Sequence, residues 1–147
     1  MDEGSEAVVF NTTDPGVVVR VGKKDCEYTM VDEELQETGG VAQIYFITTI
    51  DIAGEDYVID WKEKVDTNVE GFLYRVIKTH NEQMFEDIAS VLSGLYHVTR
   101  EGIKLLKKYP VTKNLADAIL AGLPFNDLDI SQNLGVNKKG VIVAYDC

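Results

Sequence analysis

Two oxygen-bearing side chains near the end of the chain have a type and spacing that suit a magnesium ion. Asn133 follows a polar loop, and Asp146 stands thirteen residues later. The residues between them predict a hairpin, with strands at 134–136 and 141–145 around a glycine-containing turn. Because a hairpin brings its ends together, both oxygens would lie at one end of a cleft. Magnesium accepts few protein ligands and keeps several waters, so two such residues suffice.

A cation stands in an otherwise apolar strand of the first half. Arg20 interrupts the β-branched run 17–21, and this run predicts a buried strand. A buried charge is costly unless an opposite charge compensates it. The helix predicted next offers Glu33, Glu34 and Glu37 as partners, and Glu34 is favoured by its distance along the helix.

The elements that must position these side chains form two blocks. The first block predicts antiparallel strands with one helix, and the second predicts helices followed by the hairpin. An antiparallel strand block followed by a helical block predicts an α+β fold with two subregions and a cleft between them. The predicted strands cover residues 7–10, 17–21, 41–51 and 57–61, and the predicted helices cover residues 25–38, 68–80, 82–93, 99–108 and 112–121.

Composition and charge exclude several classes of function. The chain has 147 residues, with 14 basic and 25 acidic side chains, so its formal net charge is −11. This length favours a single domain over residues 1–147. A chain this acidic repels the phosphate backbones of nucleic acids, so direct nucleic-acid binding is not expected. No apolar run reaches the roughly 18 residues that span a bilayer, and the acidic N-terminus is unlike a secretion signal, so we expect a cytoplasmic protein without membrane association.

The order of these parts resembles the protein-kinase-like fold, specifically the short, divergent kinase-like proteins of tailed bacteriophages. The resemblance covers essentially the whole chain, and its strongest part is Asn133, a glycine-containing hairpin and an apolar strand leading into Asp146. It implies a two-lobed α+β protein, with an antiparallel-sheet N-lobe over about residues 1–65 and a truncated helical C-lobe over about residues 66–147. It also implies ATP and Mg²⁺ as cofactors and, for a viral protein, the host cytoplasm as location.

The resemblance implies a role for each candidate residue. Gly4 and Ser5 would belong to a reduced glycine-rich loop over the ATP phosphates. Arg20 would bind phosphates at the position where the family has lysine. This exchange is not conservative, because a guanidinium is wider than an ammonium group and its N–H donors point in fixed directions. Glu34 would orient Arg20, and Asp60 in the strand 57–61 together with Asn133 completes the nucleotide-binding candidates.

The catalytic base is left open between two aspartates of the polar loop. The family spacing would put this base at Leu128, so Asp127 stands one residue too early and Asp129 one residue too late. One residue of extended chain spans about 3.3 Å, whereas a misplacement of about 1 Å can cost on the order of 100-fold in rate. A bulge that re-aims either aspartate would restore the geometry. Asn133 and Asp146 would hold the metal.

Functions of different classes follow from these residues. One is a minimal phage kinase that binds ATP with magnesium and phosphorylates a host protein on serine or threonine. Another is an inactive pseudokinase that binds and inhibits a host protein; the charge of −11 favours a basic target, such as a nucleic-acid-associated or defence protein. A third is a small acidic immunity or inhibitor protein that resembles a kinase by chance. The formation of a homodimer is also left open, because a truncated C-lobe would expose an apolar surface on its underside that favours pairing with a second copy.

Overall fold

Four strands of the first half pair into one antiparallel sheet. They are β1 (Val8–Asn11), β2 (Val17–Lys23), β3 (Ile44–Ile52) and β4 (Glu55–Glu63), in the spatial order β1-β2-β4-β3. The predicted strand block is confirmed, although β3 begins at Ile44 rather than at residue 41. The computed structural model of the protein describes residues 8–23, 33–93, 99–123 and 133–145.

Short turns join β1 to β2 and β3 to β4. In the turn between β1 and β2, the Asp14 carboxylate accepts a hydrogen bond from the Gly16 N–H at 2.8 Å. Between β3 and β4, Ala53 and Gly54 have φ angles of 55° and 86°. Two central residues with positive φ are typical of two-residue hairpin turns, which match the twist of the flanking strands.

Helices make up most of the second half, as predicted. The α+β class is therefore confirmed. Residues 25–32 of the first predicted helix lie outside the described residues. The helical elements are α1 (Glu33–Thr38), α2 (Val69–Phe72), a π-helical segment (Leu73–Ile77), α3 (Lys78–His80), α4 (Glu82–Leu92), α5 (Arg100–Lys108) and α6 (Pro110–Leu120).

Side-chain caps explain where several helices begin. Asn68 accepts a hydrogen bond from the Gly71 N–H at 3.0 Å, and Asn81 accepts one from the Met84 N–H at 3.0 Å. Such caps satisfy N–H groups that have no partner inside the helix. The prediction that α6 begins at residue 112 was wrong, because Pro110 opens it. Proline suits the first helical position, where an N–H is not needed.

The helical block contains most of the hydrophobic core, and the terminal hairpin is packed into it. The hairpin consists of β5 (Leu134–Val136) and β6 (Ile142–Ala144), all six residues of which are buried. Burying one leucine or isoleucine side chain contributes about 1.5–3 kcal/mol. The hairpin is therefore held by the same core as the helices. The largest fully buried apolar side chains of this core include Ile88, Leu106, Leu115, Leu134 and Ile142.

Backbone hydrogen bonds join the hairpin to the segments that follow α1 and β4. The Ala42 N–H donates to the Ala144 carbonyl at 2.7 Å, and the Ala144 N–H donates to the Gly40 carbonyl at 2.9 Å. On the other side, Asp66 and Val136 exchange two hydrogen bonds of 2.8 Å. The hairpin is thus the junction between the sheet, α1 and the helical block.

A tyrosine between α5 and α6 contacts α4 through its hydroxyl. The Tyr109 hydroxyl donates to Asp87 Oδ2 at 2.6 Å, and Gln83 Nε2 donates to the other carboxylate oxygen at 2.9 Å. The bond from Tyr109, and then the bond from Gln83, lowers the pKa of Asp87. The same bond to Asp87, with burial second, raises the pKa of Tyr109.

We expect Tyr109→Phe to destabilise the fold at neutral pH and much less at either extreme. Because the pKa of Asp87 is lowered from 3.8, its contribution is present above that pH and is lost as the pH falls through the folded-state pKa. Because the pKa of Tyr109 is raised from 10.0, its contribution is present below that pH and is lost as the pH rises through the folded-state pKa.

Urea unfolding of wild type and variant from about pH 3 to about pH 11 measures this dependence. Tyr74→Phe is the matched control, since the Tyr74 ring is exposed on the π-helical segment and stacks on Phe85. A difference between wild type and Tyr109→Phe that stays constant over the whole range would contradict the prediction.

Candidate functional site

One face of the sheet carries a buried row of charged side chains. Arg20 on β2 lies opposite Asp60 on β4, and Lys62 lies two residues further along β4 on the same face. Arg20 Nη1 and Asp60 Oδ2 are 3.6 Å apart, and Arg20, Asp60 and Lys62 are 6%, 1% and 7% exposed. Charges this deep persist only where opposite charges or hydrogen bonds compensate them. We call these three residues the charged row.

Lys62 connects the charged row to the open end of the terminal hairpin. Its Nζ donates a hydrogen bond to the backbone carbonyl of Tyr145. The Tyr145 N–H in turn donates to the carbonyl of Asn133 at 2.9 Å. Asn133 and Tyr145 therefore face each other, one before β5 and the other after β6. Asp146 follows Tyr145 in the sequence and lies outside the described residues.

The structure thus connects three of the predicted site residues. Arg20 and Asp60 pair directly, and Lys62, on the same strand as Asp60, links that strand to the hairpin end where Asn133 lies. Five further candidates lie outside the described residues, and their roles stay predictions: Gly4, Ser5, Asp127, Asp129 and Asp146.

An acidic partner of Arg20 comes from a neighbouring strand. Asp60 faces Arg20 directly across β2 and β4, and the predicted pairing of Arg20 with Glu33, Glu34 or Glu37 of the following helix is not tested by this contact. Glu34 lies in the first turn of α1 with its side chain exposed. Its role in orienting Arg20 stays a prediction.

Lys62 is a site residue that sequence reasoning missed, although a signal for it was present. Asp60 and Lys62 alternate with the apolar residues Ile59 and Trp61 along β4. Because side chains alternate between the faces of a strand, this pattern puts both charges on one side. Two opposite charges spaced by two residues in an apolar strand therefore indicate a shared buried polar face.

That these residues bind phosphate and a metal ion stays a prediction, based on the types of their side chains. Arginine and lysine are strong donors to phosphate oxygens, and an amide oxygen with a carboxylate suits Mg²⁺. Over the described ranges, no cluster of three or more histidine, cysteine, aspartate or glutamate side chains could hold a metal. The binding of a metal ion by Asn133 and Asp146 stays a prediction, because Asp146 lies outside the described residues.

Comparisons with models of known families, with curated proteins and with solved structures found no match for this chain. The function is therefore argued from the geometry of the site. Among the residues that the structure describes, no helix has the length and apolar character needed to span a bilayer.

Proposed function

We propose that the protein is a minimal kinase-like protein of the type found in tailed bacteriophages, which binds ATP with Mg²⁺ and phosphorylates a host protein on serine or threonine. The observation that carries this proposal is the connection from the charged row to the hairpin end, through Lys62, Tyr145 and Asn133. It joins the strand of Asp60, the ion-pair partner of a candidate phosphate-binding cation, to the backbone of Asn133, a candidate metal ligand. The order of elements supports the proposal: a strand with a buried cation, a glutamate-containing helix, two strands, helices and a hairpin.

In this proposal the nucleotide lies between the N-lobe over residues 1–65 and the C-lobe over residues 66–147. Gly4 and Ser5 cover the phosphates, and Arg20 binds their oxygens. A guanidinium has five N–H donors, so Arg20 can contact a phosphate while it keeps its contact with Asp60. Glu34 orients Arg20 from α1.

The transfer step needs a base and a metal. Asn133 and Asp146 would hold Mg²⁺, and the bound ion would supply positive charge at the phosphate oxygens. The substrate hydroxyl passes its proton to Asp127 or Asp129 and forms a bond to the γ-phosphorus. The bond from that phosphorus to the β-phosphate oxygen breaks, and ADP leaves.

We expect ATP with Mg²⁺ to raise the melting temperature of the protein. At a ligand concentration of 100 times Kd, the folded state gains about 2.7 kcal/mol, and for a chain of this size this corresponds to a shift of roughly 5–10 °C. Asp146→Asn should abolish the part of the shift that depends on Mg²⁺. Glu86→Gln, which removes one exposed negative charge from α4, is the control and should keep the whole shift.

A melting temperature that does not respond to ATP with Mg²⁺ at millimolar concentration would contradict nucleotide binding. Transfer of labelled γ-phosphate from ATP to host proteins then tests catalysis. Under the kinase proposal we expect label in host proteins with wild type and none with Asp146→Asn.

A second candidate function is a pseudokinase that binds and inhibits a host protein. This function is favoured by the sequence positions of Asp127 and Asp129, which lie on either side of the position that the family uses for its catalytic base. The charge of −11 suits a basic host partner. ATP binding without label transfer in wild type would support this function over the kinase.

A further inference from the structure

The sheet face opposite the charged row is apolar and partly exposed. Val17 on β2 and Trp61 on β4 lie on this side, because each is an odd number of residues from a member of the charged row. Phe46 on β3 pairs with Trp61, and its side chain is 59% exposed. We call this side the outer face.

A pocket of about 560 Å³ opens on the outer face. The pairing of β3 with β4 contains a bulge between Ile44 and Phe46, so Tyr45 is an extra residue on that strand. As a result, the neighbouring residues Tyr45 and Phe46 both line the pocket. The ring centres of Phe46 and Trp61 are 5.4 Å apart with 59° between the planes, so the two rings form an angled aromatic wall. The residues that line the pocket are Asp14, Gly16, Val17, Tyr45, Phe46, Trp61 and Lys138.

Acidic side chains give this pocket a negative side. The Asp14 carboxylate lines the pocket and is fixed by its hydrogen bond from the Gly16 N–H at 2.8 Å. Burial, and then the charges of Glu63 and Asp14, raise the pKa of the Tyr45 hydroxyl. This is the expected response of a phenol near negative charge. Lys138 is the opposing charge, and its exposed side chain belongs to the hairpin turn.

We propose that this pocket binds the guanidinium group of an arginine side chain from a basic protein partner. The faces of aromatic rings attract cations, and the planar guanidinium also stacks on them. The carboxylate of Asp14 offers a guanidinium two acceptor oxygens. The net charge of −11 attracts a basic partner over longer distances. The pocket and Arg20 lie on opposite faces of the sheet, so this binding does not depend on the nucleotide proposal.

The fluorescence of Trp61 tests this proposal directly, because the sequence contains one tryptophan. The probe is a hexa-arginine peptide, and the comparison is hexa-citrulline, whose side chains have nearly the same shape without the charge. We expect a saturable change in Trp61 emission with hexa-arginine and roughly tenfold weaker binding of hexa-citrulline. The response should be the same with and without ATP and Mg²⁺.

Matched variants locate the binding. Phe46→Leu removes an aromatic ring from the pocket. Asp14→Asn removes a charge but keeps an oxygen that accepts the hydrogen bond from the Gly16 N–H. Each variant should weaken the binding of hexa-arginine by about fivefold. Lys138→Gln should strengthen binding, because it removes a repelling charge. Phe10→Leu removes an exposed ring of the outer face that does not line the pocket, and Glu86→Gln removes a distant charge; both should leave binding unchanged.

Several results would overturn the proposal. One is equal affinity for the two peptides, another is equal weakening of binding by Glu86→Gln and Asp14→Asn, and a third is a Trp61 emission that hexa-arginine does not change. A saturable response to adenosine with none to hexa-arginine would also overturn it, since the pocket would then take a neutral planar ring. The two-peptide comparison uses the wild-type chain, so it decides the proposal even where a variant does not fold.

Discussion

Asp60→Leu should lower the free energy of unfolding by about 3–5 kcal/mol. The substitution removes the carboxylate that lies 3.6 Å from Arg20, while Arg20 and Lys62 stay in a face where they are 6% and 7% exposed. A buried cation that loses its compensating carboxylate costs far more than an exposed one. Urea unfolding at pH 7, followed by circular dichroism, measures the change.

A double variant separates the cost of removing one partner from the value of the ion pair. Arg20→Met with Asp60→Leu removes both charges, and it should be more stable than Asp60→Leu alone by about 2 kcal/mol or more. The exposed substitution Glu86→Gln should stay within about 0.5 kcal/mol of wild type. If Asp60→Leu were as mild as Glu86→Gln, the carboxylate would not be what compensates Arg20.

The same double variant also tests the proposed function. If Arg20 binds phosphate oxygens, the double variant should lose the rise in melting temperature caused by ATP with Mg²⁺, even though it is folded. A double variant that is folded and keeps the full rise would assign Arg20 a structural role and would remove it from the nucleotide site.

The α+β class was predictable because it follows from local patterns. The β-branched run at 17–21 predicted β2, and apolar residues at helical spacing predicted α4. The predicted helix at 68–80 was less accurate, because it divides into α2, a π-helical segment and α3. A π-helix changes the hydrogen-bond pattern without a distinctive composition, so spacing alone predicted one continuous helix.

The charged row was predictable only in part, because two of its contacts join distant positions in the sequence. The apolar run around Arg20 indicated that Arg20 needs an acidic partner, but the register that puts Asp60 opposite it depends on how β2 and β4 pair. The bond from Lys62 to Tyr145 joins residues 83 positions apart. Periodicity reports which face a residue occupies, whereas contacts of this kind depend on the topology of the whole chain.

Gly40→Ala should separate the elements that hold the hairpin end in place. Gly40 accepts the hydrogen bond from the Ala144 N–H at 2.9 Å. A Cβ atom on Gly40 would overlap the Asn114 carbonyl oxygen and would lie 2.7 Å from the Ala118 Cβ, which is closer than such atoms approach in proteins. Both obstacles belong to α6, whose Ala118 is fully buried, so we expect the segment at Gly40 to move rather than the helix.

We expect this movement to lower the free energy of unfolding by about 3 kcal/mol and to weaken ATP binding with it. The movement breaks the contact of Gly40 with β6, and the strand paired with β6 starts directly after Asn133. Gly16→Ala is the matched control, since its Cβ would meet the nearest atom at an ordinary 3.4 Å and should change stability by less than about 1 kcal/mol. Equal stability of the two variants would contradict the close packing at Gly40. If Gly40→Ala is less stable but its melting temperature rises as much as that of wild type when ATP and Mg²⁺ are added, the nucleotide site does not depend on this junction.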